Sequence, residues 1–301
     1  MLTSHAEIRT AASQRGPVRV AVVDADDDVA LTAAALAAEQ GIATAVLVGD
    51  EARIRERAGR LGLDAALASA EYAAADAPAA AAARLAADGG ADMLLKGRLR
   101  TDELMRAVLD KSLGLRTGRL LSDVLLYEDV VSGTRRLVGV TDGGLNVAPD
   151  LAQKKQIVLN AIGVLRAVGL ARPKIAILSA TEAVSAAVPS TVDARALTEM
   201  GEAGEFGDAD VFGPLALDNA LLESAARGKG ITHPVAGHAD CLVVANIETG
   251  NALAKAAKYL AGSSCAHVVV GARLPILIPS RVESAEDKLN AIALGVLVAG
   301  R

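Results

Sequence analysis

Short β-rich apolar runs recur along this chain with helical stretches between them. They are Val18–Val23, Thr44–Val48, Asp92–Leu95, Leu137–Val140, Lys174–Leu178, Asp210–Phe212, Leu242–Asn246, His267–Val270 and Ile276–Ile278. Helical patterns over Asp28–Gln40, Glu51–Leu61, Pro78–Ala87, Thr101–Leu113 and Leu151–Val168 separate many of them. Strands that alternate with helices predict an α/β fold with a mostly parallel sheet. Most runs lack a period of two, as expected of strands covered on both faces. Asp50 is placed to cap a helix that Gly62 ends, and Gly169 closes the helix that begins near Asp150. The Ala-rich stretch 73–87 also reads as helical.

A chain of 301 residues has room for two domains. One seam is expected near Asn146–Asp150, where Pro149 opens a long helix. A second is expected near Gly271. The reading is a first α/β domain of residues 1–147 and 270–301, with 148–269 inserted as a second. Composition narrows the function classes. Hydrophobic residues make up 52% of the chain, yet every apolar run is broken well before the roughly 18 residues of a membrane span. The N-terminus has no pattern of charge followed by an apolar core, so a cytoplasmic protein is expected. A net charge of −5 and 2% aromatic residues argue against a nucleic-acid binder. Cys241 and Cys265 read as buried small hydrophobes rather than a disulfide.

Chemistry is expected where parallel strands end. Pro275-Ile276-Leu277-Ile278-Pro279 runs into Ser280 and Arg281, and Glu286 and Asp287 follow. This offers a hydroxyl, an anion clamp and an acid or base. Ser284 with Asp287 also reads as a capping box. A helix N-terminus favours the carboxylate form and burial opposes it, so cap and base both stay open. Lys96, Arg98 and Arg119 gather cations after the strand at Asp92–Leu95, as a polyphosphate ligand or a solvated loop would require. Asp142 and Asn146 belong to a Gly-Gly turn suited to an anion or simply to turn chemistry. Asp218 and Asn219 either face a cleft or cap the following helix, and Glu248 and Asn251 stand in the same position after Leu242–Asn246. His233, His238 and Asp240 do not form a standard zinc pattern, so no metal is expected.

Taken together, the segments resemble the phosphate acetyl/butyryl transferase family. The resemblance is carried by Lys96-Gly97, Gly114–Ser122, Thr141–Asp150, Gly213–Ala220, Pro234–Gly237, Asn246–Asn251, Ser280-Arg281 and Ser284–Glu286. It runs from about residue 18 to the end and looks most like the butyryltransferase branch. It implies two α/β domains with a cleft between them, an isocitrate/isopropylmalate dehydrogenase-like architecture. It implies acyl-CoA plus phosphate giving acyl phosphate plus CoA, no tightly bound cofactor, and a homodimer or higher homo-oligomer. By the same resemblance Ser280 would bond the CoA sulfur or acyl group, and Arg281 would bind phosphate. Asp287 would be the base, with Glu286 in reserve. Lys96, Arg98 and Arg119 are candidates for CoA's phosphates. Asp123 departs from the histidine that butyryltransferase relatives often carry after Leu-Leu-Ser, which leaves acetyl preference open. Two other classes remain. A metal- and NAD-dependent decarboxylating dehydrogenase shares the architecture, but the chain has no Gly-x-Gly-x-x-Gly. A non-catalytic CoA-binding protein would keep the fold without the chemistry.

Overall fold

The computed structural model describes residues 1–130, 133, 135–280 and 282–300. The chain clusters into two compact units. A flanking unit joins His5–Arg119 to Ala266–Arg301, and a central unit joins Met1–Ser4 to Leu120–Cys265. The flanking unit opens with α1 (His5–Gln14), β1 (Val18–Val23), α2 (Asp28–Glu39), β2 (Ala43–Gly49) and α3 (Glu51–Arg60). It continues with β3 (Glu71–Ala74), α4 (Pro78–Ala87), β4 (Met93–Lys96) and α5 (Thr101–Val108). The central unit holds β5 (Ser122–Asp129), β6 (Arg136–Thr141), α6 (Leu151–Ala167), β7 (Lys174–Leu178) and α7 (Pro189–Glu202). After these come β8 (Asp210–Leu215), α8 (Leu217–Leu221), α9 (Glu223–Gly228), β9 (Cys241–Val243) and α10 (Ile247–Tyr259). The chain then returns through β10 (Cys265–Val270), β11 (Ile276–Leu277) and α11 (Ala285–Ala299).

In the flanking unit β3, β2, β1, β4 and β11 are parallel neighbours, and β10 joins β11 antiparallel. Val20 pairs with Met93, and Leu94 with Ile276. In the central unit β6, β9, β7 and β8 are parallel, and β5 joins β6 antiparallel. The units therefore divide near residues 119 and 265, whereas the sequence places the seams near 147 and 270. The pairing of β5 with β6, and of β6 with β9, keeps residues 120–147 with the central strands.

Local sequence explains most of these elements. In β1, Val20, Ala21, Val22 and Val23 are all buried, because a parallel strand is covered on both faces. Asp27, Asp50 and Asn246 each accept a backbone N–H at the start of α2, α3 and α10. Asp150 and Gln153 close a capping box on α6, and Gly169 follows it with φ 93°. The expected helix from Thr101 ends earlier, at Val108. There Asp110 accepts from the Ser112 N–H at 2.9 Å, which diverts the backbone into a 3-10 turn. The Ala-rich stretch 73–87 divides into the end of β3 and α4, since Pro78 takes the first turn of a helix but cannot sit in its interior.

Helix α11 is buried without interruption from Asp287 to Leu297 and packs against α1, α2, β4 and β11. Burying Leu289, Ile292, Leu294 and Leu297 stabilises the unit by about 1.5–3 kcal/mol each. Cys241 and Cys265 are free thiols at the starts of β9 and β10, both fully buried, and burial pushes the Cys241 thiol well up. Both are expected to react with a thiol reagent at least about tenfold more slowly in the native protein than after denaturation. Rapid native labelling of either one, followed by peptide mapping, would contradict that burial.

Candidate active site

Each unit presents one edge where its parallel strands end. In the flanking unit that edge carries Asp24–Asp28 after β1, Lys96–Arg100 after β4, and Ser280 after β11. An open cleft of about 350 Å³ lies there, lined by Lys96, Leu99, Arg100, Thr101, Pro279 and Ser280 among others. Lys96 is buried and Ser280 is exposed. The Ser280 hydroxyl makes no hydrogen bond among the described residues, while its carbonyl accepts from the Glu283 N–H at 3.2 Å. Arg281 lies outside the described residues.

The two candidate bases have different surroundings. Asp287 is buried at the third position of α11. Its Oδ2 accepts from the Ser284 N–H at 3.0 Å and from the Ser284 hydroxyl at 2.5 Å. Its own N–H donates to Ser284 Oγ at 3.2 Å, which completes the capping box. Glu286 is 68% exposed and accepts from Arg9 of α1 at 3.1 Å.

Arg98 does not stand as an isolated cation. It donates to Asp24 at 3.4 Å and to Asp26 at 3.2 Å. Asp26 also accepts from Arg57 at 2.5 Å. Gly97 makes this approach possible, because a Cβ there would meet the Asp24 carbonyl oxygen at 2.3 Å. Arg119 is exposed at the end of the unit's first segment, and its N–H donates to Thr117 Oγ1 at 3.3 Å.

In the central unit the corresponding edge follows β6, β9, β7 and β8. Asp142 is buried and shapes the turn after β6. Its Oδ1 accepts from the Gly144 and Leu145 N–H groups at 2.8 and 2.9 Å. Its Oδ2 accepts from the Asn146 amide at 2.5 Å. Burial, and then the neighbouring Asp123 charge, hold its pKa above the usual carboxylate range. Asn146 spends its other amide proton on the Leu121 carbonyl at 2.9 Å. Helix α10 closes on this turn. Asn251 donates to the Gly143 carbonyl at 3.2 Å, and Glu248 is exposed one turn earlier. After β8, the helix α8 is capped at Ala216 without a side-chain bond, so neither Asp218 nor Asn219 is its N-cap. Asp218 is exposed and accepts from the Asn219 N–H at 2.9 Å. Asn219 is buried and donates to Glu182, which also accepts from Lys229 at 2.6 Å. That lysine contact holds the Glu182 carboxyl below its ordinary range. His233 stacks on Phe212 with ring centres 4.0 Å apart, and Asp240 accepts from the Lys174 N–H at 2.8 Å.

The family model described as phosphate acetyl/butaryl transferase matches residues 67–296. The chain belongs to the phosphate acetyl/butyryl transferase family. It is 42% identical to the phosphate acetyltransferase of Rhizobium meliloti over 97% of this chain and 92% of that protein. It is 39% identical to the phosphate butyryltransferase of Clostridium acetobutylicum over 100% of this chain and 99% of that one. Among solved structures it resembles a branched-chain phosphotransacylase from Enterococcus faecalis V583. That likeness has a TM-score of 0.80 at 28% identity and covers 94% of this chain and 99% of the other.

Within this transferase chain the structure adds polar residues that sequence reasoning passed over. Asp24 and Asp26 hold Arg98, Glu182 holds Asn219, and Arg9 holds Glu286. Their partners lie 37 to 277 residues away along the chain, so no local spacing could have announced them.

Proposed function

We propose that the protein transfers an acyl group between CoA and inorganic phosphate, with butyryl-CoA as the preferred donor. What carries this reading is the flanking-unit edge. An exposed Ser280 hydroxyl shares a cleft with buried Lys96, and a buried carboxylate, Asp287, opens the next helix. In the direction of acyl-CoA synthesis, Asp287 takes the CoA thiol proton. The thiolate attacks the acyl carbon, the bond from that carbon to the phosphate oxygen breaks, and phosphate leaves with the electron pair. Ser280 orients the sulfur or the acyl oxygen, and Lys96 stabilises charge on the phosphate. The role of Arg281 as phosphate clamp rests on the family resemblance. Arg119, Asp142, Asn146, Asp218, Asn219, Glu248 and Asn251 are proposed as further CoA or substrate contacts. Arg98, already balanced by two carboxylates, serves chiefly to fix the Lys96 loop. CoA is substrate rather than resident cofactor.

The 42% identity to an acetyltransferase over nearly the whole chain favours one second reading, with acetyl-CoA as donor. The two differ by methylenes worth about 1–3 kcal/mol each in the acyl pocket. We also infer a cytoplasmic homo-oligomer, to be checked by light scattering. No described helix is long and apolar enough to cross a membrane.

The test is release of free thiol from acetyl-, butyryl- and longer acyl-CoA, with and without phosphate and with no added metal. Phosphate-dependent release, highest with butyryl-CoA, is expected. A maximum at acetyl-CoA would select the second reading. Absence of phosphate dependence with every donor would overturn both, and activity abolished by a chelator and restored by a divalent cation would point to the dehydrogenase class.

A further inference from the structure

Next to the proposed base lies a buried charged group with no part in the chemistry above. Lys288 follows Asp287 directly and is 1% exposed. It does not line the cleft that Ser280 shares with Lys96. Its ammonium stands 4.0 Å from Asp27 Oδ1; burial pushes its pKa down, and the Asp27 and Glu283 carboxylates oppose that. Glu283 is itself buried and sits 3.5 Å from Nε2 of His267 on β10. Asp27 Oδ1 accepts from the Ala30 N–H at 2.8 Å, which ties it to the start of α2.

These charges converge on one stretch of backbone. The Glu283 N–H donates to the Ser280 carbonyl, and the Lys288 N–H donates to the Ser284 carbonyl, each at 3.2 Å. Ser280 and the start of α11 are therefore tied to β10 through Glu283 and to the start of α2 through Lys288. A methionine would fill the volume of Lys288 without desolvating a charge. Buried ion pairs add little net stability, and their best-attested use is to fix one geometry among several.

We propose that Lys288 and Glu283 are positioning residues that hold Ser280 and Asp287 in the geometry acyl transfer requires. This rests on the roles given above to Ser280 and Asp287. Neither residue touches substrate. Lys288 balances the two carboxylates, Asp27 and Glu283, that anchor the segment.

The experiment compares Lys288→Met, Glu283→Gln and the double variant by kcat, by the KM for butyryl-CoA and for phosphate, and by thermal unfolding. Each single variant is expected to lose about tenfold or more in kcat, with both KM values within about threefold of wild type. The double variant is expected to lose no more than the worse single, because both act on the same segment. Folded single variants with kcat within twofold of wild type would overturn the proposal, as would losses that multiply in the double. A lowered unfolding midpoint with unchanged kcat would overturn it too, since that is a purely structural role. Should Lys288→Met fail to fold, Glu283→Gln decides by the same kcat criterion. A wild type without phosphate-dependent turnover sinks the functional reading and this proposal together. An active wild type with unaltered variants sinks only the proposal.

Discussion

Asp287→Asn is expected to lower kcat for acyl transfer by about 10²- to 10⁴-fold, the contribution typical of a positioned general base. The substitution isolates the proton transfer. Asn keeps the carbonyl oxygen that accepts from the Ser284 N–H and hydroxyl, so the start of α11 stays capped. Loss of the negative charge at the helix N-terminus costs about 0.3–1 kcal/mol, too little to unfold a unit with so large a core. The thermal midpoint should therefore move by only a few degrees while turnover collapses. Glu286→Gln is the contrast. That carboxylate is 68% exposed and engaged with Arg9, and an exposed pair contributes about 0–1 kcal/mol. Its kcat should stay within about twofold of wild type. If Glu286→Gln loses turnover and Asp287→Asn keeps it, the two roles are exchanged. If neither variant loses turnover, no carboxylate at the start of α11 is the base. Measuring the KM for CoA in each variant separates a lost base from lost binding.

How much of this was legible in the sequence depends on the range of the interaction concerned. Dense apolar runs, broken only by Arg19 in β1 and preceded by Lys174 in β7, fixed both strands to the residue, because burial on both faces is written into the run itself. β5 went unread. Its Ser122, Asp123 and Asp129 are polar yet buried, so it has no clean apolar run. β3 is short, only partly buried and set in an Ala-rich stretch with strong helix propensity, so pairing with β2 overrides local preference. At the candidate site, Ser280 and Asp287 could be found because a strand end and a capping box both lie within eight residues. The state of Arg98 could not, since its partners at Asp24 and Asp26 come from another strand end, 74 and 72 residues away. The burial of Lys288 was equally hidden. Lysine at that position reads as an exposed helix residue, and the tertiary packing of α11 buries it.

Gly250→Ala should destabilise the protein by about 2 kcal/mol, although the same change is favourable in most helices. Within a helix Ala is preferred to Gly by about 0.8–1 kcal/mol. Gly163 in α6 shows that case, for a Cβ there meets nothing within 4 Å, and Gly163→Ala is expected to raise stability by up to about 1 kcal/mol. At Gly250 the Cβ would stand 2.5 Å from the Asp142 carbonyl oxygen and 2.8 Å from the Gly143 Cα. Both are backbone atoms and cannot swing aside as a side chain would. Forcing such an overlap costs about 1–3 kcal/mol, with the upper end expected where backbone must shift. Steric cost therefore exceeds the propensity gain. The displaced segment is the turn in which Asp142 accepts from Gly144, Leu145 and Asn146. Activity should fall along with stability, and more steeply than in a control of equal stability loss elsewhere in the central unit. Thermal unfolding of the two alanine variants side by side checks the signs. A stabilised Gly250→Ala would mean that α10 and the Asp142–Asn146 turn do not pack this closely.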